Sequence, residues 1–81
     1  MAQKDKRLER WRNNPTGVRF EELASVLRGC GFEQEPGRGS HTVFRHPARG
    51  LTLSVPHHGN GPVKPVYVRK VLQLVDDYGC L

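Results

Sequence analysis

The chain is poor in most of what would mark a secreted, membrane-bound or metal-binding protein. Its 81 residues include two cysteines, Cys30 and Cys80, and neither sits in a Cys-x-x-Cys pair. Two thiols make no disulfide framework, so reduced, partly buried thiols are expected, with a Cys30–Cys80 bridge as the alternative. No hydrophobic run approaches the about 20 residues that a membrane span needs. The opening "MAQKDKRLER" has no apolar stretch of the kind a secretory signal carries, so a cytoplasmic location is expected. Histidines lack paired ligand spacing, neighbouring His57 and His58 point apart in most backbones, and no carboxylate lies between residues 36 and 75. Neither a zinc nor a magnesium site is expected on those grounds, and no small-molecule cofactor is called for.

That missing negative charge is the most informative absence. The run between Glu35 and Asp76 contains Arg38, Arg45, Arg49, Lys64, Arg69 and Lys70 and all four histidines, His41, His46, His57 and His58. The whole chain carries a formal charge of +5. Unbalanced positive charge over half a small domain suits a polyanion such as RNA or DNA. The plain alternative is a basic, solvated surface.

What is present reads as one small domain. Residues 1–13 are mostly charged, and Leu8 and Trp11 are spaced to share one face of a short helix. Trp11 is expected to pack that helix onto the domain rather than to stack on a base. "NNPTG" is a loop. "VRFEELASVLRGCGF" is the clearest helix, with Phe20, Leu23, Ala24 and Leu27 at i, i+3, i+4, i+7. Gly29 or Gly31 can close it, with Phe32 folding back as the apolar contact. "FEQEP" is a short strand, "GRG" a turn, and "SHTVFRH" a strand with Ser40, Thr42, Phe44 and His46 on the face assigned to the core. His41 and Arg45 then lie on the opposite, open face. "HPARG" turns again into the strand "LTLSVP". "HHGNGPV" is a glycine-rich loop, and "PVYVRKVLQLVDDYG" is a second amphipathic helix opening on Pro65. Asp76 and Asp77 fall near its C-terminal end, where the helix dipole disfavours anions, and nothing in the sequence explains them.

The predicted fold class is α+β: a three-stranded antiparallel sheet with two helices packed on one face, in the order α-β-β-β-α, plus a short extra N-terminal helix. Residues 1–17 form an N-terminal extension and residues 18–81 the main domain.

Four pieces in this order resemble the HicA toxins of bacterial toxin–antitoxin pairs, whose fold is like that of the double-stranded RNA-binding domain. "FEELASVLRGCGF" is similar to that family's first helix and its closing Gly-Phe. "GSHTVFRHP" is similar to its Gly-Ser-His segment followed by an aromatic. "LSVPHHG" is similar to a strand ending in Pro-x-His-Gly, and "KPVYVRKVLQLV" to the closing helix. The resemblance covers roughly residues 18–78. There are two departures: residues 1–17 extend beyond the minimal domain, and where a lysine often precedes the Gly-Ser-His segment, the basic residue here is Arg38.

The resemblance implies an mRNA endonuclease in which His41 is the catalytic residue, neutralised by a HicB-like antitoxin. The chemistry is consistent with this. An imidazole titrates near pH ~6.5 and can take or give a proton at neutral pH. RNA cleavage needs a base for the 2′-hydroxyl or an acid for the leaving 5′-oxygen. Arg38 and Arg45 are expected to offset the charge of the transition state, while Gly39 and Ser40 let the phosphate backbone approach. His58, matching Pro-x-His, is the candidate second group, as orienter or phosphate ligand; the alternative is a loop histidine capping the next helix. His57 and His46 read as bystanders. Lys64, Arg69 and Lys70 are candidate RNA-phosphate contacts or a solvated helix face. "GNGP" reads as turn chemistry rather than as a phosphate cradle. A rival of another class is a non-catalytic RNA-binding module holding duplex RNA by shape, and a third reading is an interaction protein that has lost activity.

Overall fold

Helix formation over Phe20–Gly29 follows from its apolar stripe, and its ends show how the chain is stitched. A computed structural model describes residues 6–79. The elements are α1 (Lys6–Asn13), α2 (Phe20–Gly29), β1 (Glu33–Pro36), β2 (His41–His46), a 3-10 turn (Pro47–Arg49), β3 (Leu51–Pro56) and α3 (Pro65–Tyr78). Gly31, not Gly29, takes the left-handed closing position of α2, at φ 95°. The Gly31 amide donates to Arg28 (3.0 Å) and the Phe32 amide to Leu27 (3.0 Å). These are the paired bonds of a Schellman motif, and Phe32 supplies its buried apolar contact.

The sheet has the order β1-β2-β3, antiparallel throughout. The predicted α+β architecture is therefore present, including the extra N-terminal helix. Thr42, Phe44, Leu53 and Val55 point to the covered side and are buried, while His41, Arg45, Thr52 and Ser54 are exposed. α2 contributes Leu23, Ala24, Val26 and Leu27 to the core, and α3 contributes Val68, Val71 and Leu72. Phe20 and Phe44 meet in the core with ring centroids 6.0 Å apart.

α1 belongs to the same core. Trp11 is 1% exposed and Leu8 is 7% exposed, which agrees with the packing expected for Trp11. Helix α1 also explains Asp76. The Arg12 guanidinium donates to both Asp76 carboxylate oxygens, at 2.9 and 2.5 Å. The acid at the end of α3 therefore answers an arginine on α1, not its own helix dipole. The bonds from Arg12 hold the Asp76 carboxyl below its ordinary value. A depressed carboxyl favours the fold above the usual aspartate range, and that support is lost as pH falls through the lowered value. Both groups are exposed, so salt weakens the pair. Asp77 accepts from Gln73 at 2.9 Å. Cys30 is buried; the Cys30–Cys80 pairing falls on Cys80, outside the described residues. Among those residues no helix is long and apolar enough to cross a membrane.

Candidate active site

The turn between β1 and β2 is built by three contacts around His41. The Gly37 amide donates to the His41 carbonyl (3.0 Å), and the His41 amide donates to the Arg38 carbonyl (3.0 Å). The His41 ring adds a third, with Nδ1 3.2 Å from the same Arg38 carbonyl. A carbonyl only accepts, so Nδ1 carries the proton. In the neutral ring, Nε2 is then left with its lone pair, on an exposed residue. That atom can take a proton, or give one when the ring is charged.

The turn is tight. A Cβ on Gly37 would lie 3.0 Å from the His41 carbonyl oxygen and 3.3 Å from the His41 Cβ. Replacing Gly37 by alanine should therefore cost about 1–3 kcal/mol, as overpacking does, and displace the turn. Thermal denaturation should register the loss, and an unchanged melting temperature would mean the turn relaxes freely. Gly39, at φ 58°, and Ser40 complete the turn, and Ser40 is exposed.

The expected cations divide. Arg38 is exposed, and among the described residues it has no carboxylate partner. Arg45 differs from expectation: its guanidinium lies 3.6 Å from Glu35. The acid-free run of the sequence hides this, because β1 folds back beside β2 and sets Glu33 opposite Arg45 and Glu35 opposite Val43. Four steps along the strand also separate His41 from Arg45, about 13 Å at ~3.3 Å per residue. Arg45 is thus neither uncompensated nor adjacent to the imidazole. Lys64, Arg69 and Lys70 are exposed on or just before α3. The Lys70 ammonium lies 5.5 Å from the centre of the Tyr67 ring. No hydrogen bond or ion pair among the described residues joins these three side chains to the 37–41 turn.

The loop after β3 abuts that turn, since His41 pairs with Pro56 across the β2–β3 ladder. His58 is exposed there, and its carbonyl accepts from the Gly61 amide at 3.0 Å. The neighbouring His57 is more firmly bound than its reading as a bystander implied. Its ring Nδ1 lies 2.9 Å from the Gly59 carbonyl and its Nε2 2.7 Å from the Thr42 hydroxyl. It also stacks on Phe20, with centroids 3.6 Å apart and planes at 11°. His46 stands elsewhere: its Nε2 donates to the Cys30 carbonyl (3.1 Å), and its ring meets the edge of Phe32.

Sequence reasoning missed two further residues. Asn60 lies in the glycine-rich loop, and its side-chain oxygen accepts the Glu21 amide at 2.8 Å. The Phe20 amide donates to the Gly61 carbonyl (3.1 Å). The first amides of α2, which have no partner within the helix, are thus satisfied by a segment some forty positions away. In these contacts "GNGP" serves structure, through the Asn60 side-chain oxygen and the Gly61 carbonyl. Arg19 reaches the same loop and donates to the Asn60 carbonyl at 3.2 Å. Replacing Asn60 by alanine should cost about 0.5–2 kcal/mol, the usual range for losing a helix-start acceptor. Urea denaturation should show it as a lower midpoint with unchanged slope.

Among the described residues, no group of three or more His, Cys, Asp or Glu side chains could hold a metal ion. No curated protein and no solved structure matches the chain. A family model does: that of the "HicA toxin of bacterial toxin-antitoxin", over residues 20–76. The chain belongs to the HicA toxin family. Its match spans α2 to the last turn of α3 and includes His41, Thr42, His57 and His58, while α1 lies outside it. A HicA toxin is one half of a toxin–antitoxin pair, and its partner is an antitoxin.

Proposed function

We propose that this HicA-family chain is a metal-independent endoribonuclease that cleaves mRNA, with His41 as its general acid or base. The observation that carries the reading is the His41 ring. It is exposed at a tight turn, its Nδ1–H is committed to the Arg38 carbonyl, and its Nε2 is open to a ligand. A phosphodiester lying over the turn would bring its 2′-hydroxyl or 5′-oxygen to that nitrogen. Arg38, exposed in the same turn and without a carboxylate partner among the described residues, contributes positive charge that favours the extra negative charge of the transition state. Gly39 and Ser40 leave room for the phosphate backbone. His58, exposed on the adjoining loop, is the second candidate group, as phosphate ligand or orienter. Arg45, partly offset by its pair with Glu35, contributes only at a distance. Lys64, Arg69 and Lys70 attract the polyanion more generally, and that contribution weakens with salt.

The partner in this reading is a HicB-like antitoxin that covers His41, with an acidic patch complementing the basic turn and loop. The function is tested by incubating the purified chain with an mRNA transcript in the presence of a chelator. Fragments are expected. A stable RNA complex without fragments would instead identify a non-catalytic binding module of the same fold.

A further inference from the structure

Three candidates stand outside the chemistry assigned to His41. Among the described residues the buried indole nitrogen of Trp11 has no hydrogen-bond partner, and nothing there indicates a ligand. The buried Nδ1 of His46 likewise has no partner among the described residues, and its ring packs at the far end of β2. The third, His57, has a definite relation to the turn.

His57 holds both chain neighbours of His41. Its main-chain amide donates to the Ser40 carbonyl at 2.8 Å. Its ring meets the Thr42 hydroxyl at 2.7 Å. Ser40 and Thr42 are the residues on either side of His41. The ring is itself fixed by its stack on Phe20 and by Gly59. Because the Gly59 carbonyl only accepts, Nδ1 bears the proton; the neutral Nε2 then accepts from the Thr42 hydroxyl. Thr42 is buried at 8% exposure, so water is a poor substitute partner for that hydroxyl.

We infer that His57 is a positioning residue: through Ser40 and Thr42 it fixes where the His41 ring stands. The inference rests on the reading of His41 as the catalytic group. A reacting group displaced by about 1 Å can lose about 10²-fold in rate, so the support is worth as much as a direct contact. His57 itself touches neither substrate nor reacting atom in this scheme.

The test uses His57→Phe, which keeps a ring on Phe20 and removes both polar ring contacts. The expected result is a fall in kcat of about 10- to 100-fold, with KM within about twofold and a cooperative melt retained. His57→Gln, which can still reach the Thr42 hydroxyl, should recover part of the loss. Thr42→Val should lose as much as His57→Phe, and the double variant no more than either, because both remove one connection. Wild-type kcat in His57→Phe, or losses that multiply in the double variant, would overturn the inference. Amide hydrogen exchange supplies an arm independent of cleavage. Exchange at the Gly37 and His41 amides should quicken in His57→Phe, and unchanged exchange there would also overturn it. If the wild-type chain cleaves no RNA, the catalytic reading of His41 fails, and the exchange measurement alone decides whether His57 orders the turn.

Discussion

Replacing His41 by alanine should lower the rate of RNA cleavage by about 10²- to 10⁴-fold, the usual contribution of a positioned acid or base. The fold should survive. The His41 ring is exposed and, among the described residues, makes one hydrogen bond, to the Arg38 carbonyl, which water can replace. The main-chain bonds that close the turn, from Gly37 to His41 and from His41 to Arg38, do not involve the ring. The change in stability should therefore stay within about 0.5 kcal/mol, as for most surface substitutions. RNA affinity should change little, because the charge on Arg38, Lys64, Arg69 and Lys70 is untouched. Timed cleavage of an end-labelled transcript, beside a binding titration and a thermal melt, separates the three quantities. An unchanged cleavage rate would place the chemistry elsewhere. Expression in cells gives the matching readout, with growth arrest by the wild-type chain and none by the variant.

The largest effect on stability is expected from Trp11→Ala. Trp11 is among the largest fully buried side chains, yet it lies on α1, outside the span matched to the family. Truncating a buried tryptophan costs about 3–5 kcal/mol. A chain of this size has roughly 4–12 kcal/mol in all, at about 0.05–0.15 kcal/mol per residue. The variant should therefore lose a large part of its stability. At about 4–8 °C per kcal/mol for small domains, the midpoint of thermal unfolding should fall by more than about 10 °C. A shift of only a few degrees would mean that α1 docks loosely and that the domain stands without it. We propose on this basis that residues 6–13, though part of an extension to the minimal family domain, are integral to this chain's core.

The elements were legible in the sequence because each is set by local periodicity. The i, i+3, i+4, i+7 stripe of Phe20, Leu23, Ala24 and Leu27 needs no knowledge of the partner surface. The alternation around Phe44 likewise put His41 on the open face. What could not be read were pairings made by the folded topology. Arg12 and Asp76 are 64 positions apart, so Asp76 looked misplaced at the end of its helix. The acid-free run suggested uncompensated arginines, but a hairpin returns Glu35 to Arg45. The Asn60 side chain caps a helix 39 positions earlier, and "GNG" carries no trace of that. His57 and His58 are adjacent and chemically identical in sequence. The Pro-x-His pattern singled out His58, and nothing in the sequence showed that the chain brings His57 over Phe20 and Thr42 as it leaves β3.

β2 is the middle strand, with hydrogen-bonded neighbours on both sides. The imidazole at its start is thus mounted on the best-anchored strand of the sheet, and no hinge or flap is needed to bring it into place. With His41 as the reacting group, as proposed above, such an arrangement would be permanently armed. Silencing it would then call for obstruction by a separate molecule rather than an internal rearrangement, which is the division of labour that a paired antidote provides.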